Sequence, residues 1–446
     1  MPAVDTAPVR PRRAHAWRRG AAIAAGVLGA LALLAMLAIA RIPSDEALAR
    51  RAAGALGDAL GVPVRVGALR WSLLPAPHVV VDNVSTGQPQ AIEVKQLTAW
   101  LDTGALWRRR LKVARAEVLG AVLPQASLRG LGGGPAPSAG AALPLPLALD
   151  AVPLARLEWQ GLTWISRRGI RTVYDGEADF DAGWRPRTAR LRRTGAQPAA
   201  ELALARQAGQ DRWTVEAALG GGTANGWVAL APGAQGGLTL SGRLQPRNVE
   251  VASALQAFGR RAIVSGRASG ETVLSAGGKT PGALAASLHT RTTFSMGRST
   301  LLRFDLDKAI HSLGREHAGQ TPLESISGQI DTQATPEGVV TTYSGLKTRS
   351  GALSASGQAR VANRQIQAEL AVDLVDGLVG VPLRLSGPLD KVQVSVPAGA
   401  LAGAAVGTAV LPGIGTALGA RIGGALSRLL GPEPPAGRPR SAPPAR

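Results

Sequence analysis

The side chains best suited to proton transfer or metal ligation are five histidines, His15, His78, His289, His311 and His317. None stands at a spacing that either chemistry needs. His311 and His317 are six apart, which fits neither a helical metal pair nor a zinc-protease motif. Gly277-Gly278-Lys279-Thr280 ends like a phosphate-binding loop, but the first glycine of that motif would fall on Val273. Gly413, Gly415 and Gly419 have the wrong spacing for a dinucleotide turn, and no Gly-x-Ser-x-Gly elbow occurs. The carboxylate pairs Asp305/Asp307 and Asp373/Asp376 sit where helix capping and strand-end solvation account for them. With no cysteine there is no thiol nucleophile, disulfide framework, Cys-ligated zinc site or iron–sulfur cluster. The expectation is a non-enzymatic protein with no catalytic residue, no metal and no cofactor.

What the chain does carry is apolar pattern. Residues 21–40 form an uncharged run that as a helix would be roughly 30 Å long, the thickness of a bilayer's hydrocarbon core. Ile23, Val27, Leu28, Leu31, Leu34 and Ile39 are among its aliphatic residues, and Arg10, Arg12, Arg13, Arg18 and Arg19 precede it. That flank predicts a single-pass inner-membrane anchor with the N-terminus in the cytoplasm and the body in the periplasm. The competing reading is a signal peptide cleaved after Ala38-Ile39-Ala40; the run exceeds the usual apolar stretch of about 7–15 residues. The net charge of +20 comes from arginine, with only six lysines, scattered among Ala, Gly and Pro rather than massed in one segment. Such scatter argues against nucleic acid as a partner: an arginine-leaning genome is the preferred explanation, and attraction of the exported part to anionic headgroups is the functional alternative.

Behind the run, Ser44 is placed as an N-cap, Leu48, Ala52, Leu56 and Leu60 make a helical stripe, and Gly61 can end the helix. The period then changes to two: Val62, Val64 and Val66, then Val79 to Val81, then Ile92 and Val94. A Gly/Pro-rich stretch at 132–140 reads as a linker. Strands follow at Leu157 to Ile165, Val215 to Leu219, Trp227 to Leu230 and Leu238 to Leu244, with short helices capped by Asn248, opened by Pro281 and begun at Asp305. Near the end, Ile366, Ala368, Leu370, Val372 and Leu374 alternate with mostly polar neighbours, as do Val381, Leu383 and Leu385, and Val392, Val394 and Val396. Gly399, Gly403, Gly407, Gly415 and Gly419 recur at a four-residue spacing in an uncharged segment. That segment is either a helical hairpin entering a membrane or a plug on the end of the sheet.

The predicted fold is mainly β: an N-terminal transmembrane helix, then an elongated antiparallel β-sheet groove with a few short helices. Its divisions are a basic N-terminus (1–20), anchor (21–40), N-terminal β region (44–130), linker (131–147), middle β region (148–290), C-terminal β region (291–397), Gly-rich helical segment (398–430) and disordered tail (431–446). One-sided strands must cover their apolar face with helices, a second sheet or a ligand, and the predicted helices are few.

The order of these motifs resembles the AsmA family. At the start it is carried by the anchor, the helix from Ser44, Leu60-Gly61-Val62-Pro63-Val64-Arg65-Val66-Gly67, Trp71 to Pro75 and Val79 to Val84; at the end by Phe304-Asp305-Leu306, Thr321 to Gly328, Gly351 to Gly357 and Val381 to Leu389. The resemblance covers residues 20 to 397 and is weakest from about 190 to 260. It implies an inner-membrane-anchored periplasmic protein of the Gram-negative envelope, similar to bridge-like lipid transfer proteins, whose curved sheet shelters lipid chains. About twenty strands stacked about 4.8 Å apart would make a groove of roughly 100 Å. On this reading the protein binds or transfers phospholipid for outer-membrane biogenesis, with Val79, Val81, Ile366, Leu370, Val372, Val392 and Val394 lining the groove. The alternative is a scaffold or assembly factor contacting outer-membrane or envelope proteins.

Overall fold

The computed structural model describes residues 45–131, 148–182, 185–233, 237–279, 281–312, 315–335, 338–351, 353–374, 380–389 and 391–395. The run 21–40 with its six anchor residues, the linker glycines, Gly399, Gly403, Gly407, Gly415, Gly419 and the tail lie outside them. Among the described residues no helix is long and apolar enough to cross a membrane. The chain divides into two compact units, residues 1–294 with 331–339 and residues 295–330 with 340–446.

The protein is mainly β. Its first part runs α1 (Asp45–Leu60), β1 (Val64–Ser72), β2 (His78–Thr86), β3 (Glu93–Leu101), α2 (Thr103–Trp107), β4 (Arg110–Pro124), β5 (Ala148–Leu154), β6 (Arg156–Ile165), β7 (Arg171–Asp181), β8 (Arg185–Arg193), β9 (Glu201–Arg206), β10 (Arg212–Leu219), β11 (Gly222–Pro232), β12 (Leu238–Arg247), β13 (Val249–Glu250), α3 (Val251–Ala257), β14 (Val264–Gly278) and α4 (Pro281–Ala286). It continues with β15 (His289–Leu302), α5 (Leu306–His311), β16 (Gln320–Leu323), β17 (Ser325–Thr335), β18 (Gly338–Ser350), β19 (Leu353–Ala362), β20 (Gln365–Leu374), β21 (Gly380–Pro388) and β22 (Gln393–Ser395).

In the first unit β1 to β4 pair antiparallel in sequence order, and β6 to β12 do the same before β12 meets β14. The joint between these two ladders differs from the antiparallel sheet expected: β4 pairs in parallel with both β5 and β6. A parallel neighbour needs a long crossover, and the chain between Pro124 and Ala148 supplies one. The sheet is therefore mixed.

Helix α1 behaves as its stripe predicts. Leu48, Ala52 and Leu56 are buried, and Gly61 ends the helix at φ +71° with its N–H on Gly57 O at 2.8 Å. Leu48, Ala49 and Ala52 form one core cluster with Leu69, Val79, Val81, Ala99, Leu101, Leu111 and Val113 of the strands beneath. The cap of α3 departs from expectation. Asn248 sits at φ +54° and donates its N–H to Ser269 Oγ, while Glu250 is the N-cap, accepting from the Ser253 N–H. The third short helix starts at Leu306, with Asp305 Oδ1 accepting from the Lys308 N–H at 3.0 Å.

The second unit is antiparallel from β18 to β22. Leu306 of α5 closes a core with Leu323, Ala355, Val372 and Leu383.

Candidate functional site

Side chains of directly paired residues lie on the same face of a sheet, so the strand registers can be read as rows across it. In the first unit one row runs Leu69, Val81, Leu97, Val118, Trp159, Gly176, Leu191, Leu202, Ala217. A second runs Trp71, Val79, Ala99, Ala116, Leu157, Ala178, Ala189, Leu204, Val215, Gly226, Leu244. No charged residue interrupts either row. The residues between them in sequence face the other way and pair as Val80, Thr98, Glu117, Glu158, Glu177, Arg190, Ala203, Glu216. The two faces of one sheet thus differ as an oil-like surface differs from a salt-bridged one.

Three glutamates stacked across β4, β6 and β7 would repel one another, and arginines interleave them. Arg115 Nη2 lies 2.5 Å from Glu158, and Arg156 Nε lies 2.6 Å from the same carboxylate. Arg156 also pairs with Glu177, which Arg190 meets at 3.3 Å. Burial alone would raise the Glu158 carboxyl, but hydrogen bonds from Arg156 and Arg115 outweigh it and hold it below the ordinary carboxylate value. The network keeps this face wet and prevents the sheet from burying both sides.

Glycines let the apolar rows lie flat. A Cβ on Gly176 would stand 2.4 Å from Trp159 Cζ2, so the indole rests directly over that backbone. Gly242 is similarly overlain by Val228 and Leu274. Gly120 and Gly161, at φ +60° and +65°, lie side by side in β4 and β6. β6 gains one residue on β7 between Trp159 and Leu162, which keeps Leu162 and Trp164 on the face already occupied by Leu157 and Trp159. Asp175 fills the resulting gap in the ladder, accepting the Gly161 N–H at 2.8 Å. That bond, ahead of the burial that opposes it, lowers the Asp175 carboxyl, helped by Thr194 and Arg192.

Among the described helices of the first unit, α1 packs on β1, α2 on β4, and α3 and α4 against β12 to β14, where Ala257 O of α3 also accepts from Arg193 Nε of β8. Trp159, Leu191, Leu202, Leu204, Ala217 and Val228 are half-buried. Two indoles on this face differ in one respect. Trp213 Nε1 donates to Pro186 O at 2.7 Å, whereas Trp159 Nε1 is buried with no hydrogen-bond partner among the described residues. A buried donor without a partner is costly.

The residues proposed from sequence to line a groove fall in both units. Val79 and Val81 are 1% and 0% exposed, and the chain's own α1 covers them. Val372, Leu370 and Val394 lie in or against the core closed by α5. Ile366 is half-buried in a row with Val361 and Gly387, and Val392 is half-buried just before β22. Sequence reading did not single out Trp159, Leu191, Leu202 or Leu204. Their signal is present: Ala189 and Leu191 alternate with arginines, and Leu202 and Leu204 with Glu201, Ala203 and Ala205.

Three of the described histidines make local contacts. His289 Nε2 lies 2.7 Å from Asp331, which also meets Arg291 at 3.2 Å; His78 stacks on Trp100 and its Nδ1 donates to Ala76 O; His317 leans on Phe304. Among the described residues no group of three or more His, Asp or Glu is placed to hold a metal ion. Comparison with protein-family models, with curated proteins and with solved structures gave no match.

Proposed function

We propose that the protein binds phospholipid by laying acyl chains along the apolar face of the first unit and hands them on within the cell envelope, anchored in the inner membrane by residues 21–40 with its body in the periplasm. The observation that carries this reading is the pair of unbroken apolar rows, the first of which is half-buried from Trp159 to Ala217, while the described helices of the first unit pack chiefly on β1, β4 and β12 to β14. Each methylene sheltered there contributes about 0.8 kcal/mol, so a chain is held firmly only when most of its length is covered. The salt-bridged outer face suits water. The resemblance to the AsmA family points the same way.

The test is photocrosslinking in growing Gram-negative cells with the full chain. A benzophenone amino acid in place of Leu202 or Leu204 is expected to give phospholipid adducts by mass spectrometry, and the same group in place of Arg190, on the other face, none. Protein adducts at Leu202 and Leu204 without lipid would instead favour an assembly scaffold. Lipid captured equally at Arg190 would remove the assignment of this face.

A further inference from the structure

Strands β1 and β3 end, and β2 and β4 begin, at one rim of the first unit. The turn 73–77 joins the first pair there and α2 the second, and the Leu101 N–H donates to Pro77 O at 2.9 Å, tying the two connections together. This rim presents its largest apolar side chains to solvent: Trp107 is 90% exposed, Leu74 81% and Leu73 48%. Arg108 and Arg109 follow Trp107 and are exposed. Asp102, the acid nearest them in the chain, is engaged with Lys112 and the Ala105 N–H, Glu117 with Arg115, and Asp150 and Asp82, on neighbouring strands, with Arg110 and Arg70. Among the described residues Arg108 and Arg109 have no acidic partner. Solvent-exposed tryptophan and leucine beside unpaired arginine is the chemistry of a headgroup layer, where an indole lies level with the headgroups and a guanidinium meets phosphate.

The same rim is where the chain arrives. Only residues 61–63 separate α1 from β1, so α1 must double back over β1. Its length of roughly 24 Å against roughly 30 Å for β1 places Asp45 near the end of β1 that carries Leu73 and Leu74. Four residues, 41–44, lie between the apolar run and Asp45, and they reach at most about 14 Å. A headgroup layer is roughly 5–8 Å deep. If 21–40 spans the bilayer, this rim has little room to be anywhere except against it.

We infer that Trp107, Leu73 and Leu74 with Arg108 and Arg109 form a second, non-spanning attachment to an anionic phospholipid surface, seating the first unit on the membrane that anchors it. This rests on the anchor reading of residues 21–40 and is independent of whether the apolar rows carry lipid.

The chain has no cysteine, so Leu74→Cys introduces a unique thiol. Full-length protein bearing an environment-sensitive fluorophore there is reconstituted into nanodiscs of phosphatidylethanolamine with phosphatidylglycerol, or of phosphatidylcholine alone, each doped with a headgroup-level nitroxide lipid. Ile263→Cys, exposed on the opposite rim beside Arg260 and Arg261, controls for general attraction of a basic protein; circular dichroism checks folding of each variant. The expected result is a blue-shifted, quenched probe at position 74 in anionic discs and an unquenched one at 263. Arg108→Gln with Arg109→Gln should lower the docked-to-undocked ratio roughly thirtyfold, from about 1 kcal/mol per arginine near an anionic surface. An unquenched probe at 74 in anionic discs, equal quenching at 263, or indifference to the arginine substitutions with Trp107→Ser added would overturn the inference. A chain that does not enter the discs at all would overturn the anchor reading and this one together.

Discussion

Trp159 and Gly176 show how little volume separates a flat apolar face from a broken ladder. A valine at 176 meets the indole and the Arg190 carbonyl, both 2.4 Å from its Cβ, and backbone cannot yield as a side-chain tip can. Gly176→Val should destabilise the first unit by about 1–3 kcal/mol, read as a lower urea midpoint, and Trp159→Ala should recover only the part owed to the indole. Asp175 is the complementary case, a polar residue whose loss leaves a ladder N–H without its acceptor. Asp175→Ala should cost about 1–3 kcal/mol. Because the folded carboxyl is held below its ordinary value, its contribution is complete above the unfolded pKa and fades as pH falls through the folded one. Asp175→Asn should therefore flatten the acid side of a stability-versus-pH curve, and an unchanged acid limb would show that the Gly161 bond matters little.

Among elements, α1 is the one whose loss would expose most. Leu48 is fully buried against β1 to β4, and Leu48→Ala should cost about 2–5 kcal/mol by calorimetric or urea unfolding. This helix was legible in the sequence because its stripe, its glycine stop and its packing all agree. The alternating strands near the C-terminus were legible for the same reason, with Ile366 to Leu374 appearing as β20. Strands β7 to β9 were harder to read, since Arg185 to Arg193 looks like a basic segment until Ala189 and Leu191 are seen to face the opposite way from Arg190 and Arg192. The bulge at Gly161 shifts the phase of alternation within β6, so a strict period of two breaks where the structure is continuous. The cap of α3 misled because Asn248 has the composition of a cap, whereas Glu250 has the position, accepting also from the Gly266 N–H at 2.9 Å. Whether an apolar row receives a helix is not written in the row. Val79 and Val81 carry the same pattern as Leu202 and Leu204, and only the first pair lies under α1.

For the whole molecule, acid is the sharpest prediction. Asp102, Glu158, Asp175, Glu250 and Asp331 are all held below their ordinary values, Asp102 first by the Ala105 N–H, Asp331 first by His289, and Glu158 and Glu250 against the opposing effect of burial. Depressed carboxylates stabilise the fold above the unfolded pKa and stop doing so as each is protonated, so the melting temperature should fall steeply below about pH 4. Circular dichroism melts across that range would check it. Neutral pH should show a plateau, since the surface pairs themselves contribute little singly.

The parallel joint between β4 and β6 has a further consequence. A two-residue hairpin dictates how far its strands may slide, but here residues 125–147 stand between β4 and the first of its parallel partners, β5, and Gly120 and Gly161 lie side by side where β4 and β6 keep one register. The joint works like a scarf joint in timber: both members are cut to the same profile, and the length of the strap tying them is free. Residues added to or removed from that crossover should leave each cross-strand pair where it is, so the ladder before β4 and the ladder after β6 can be altered as independent lengths of the same surface.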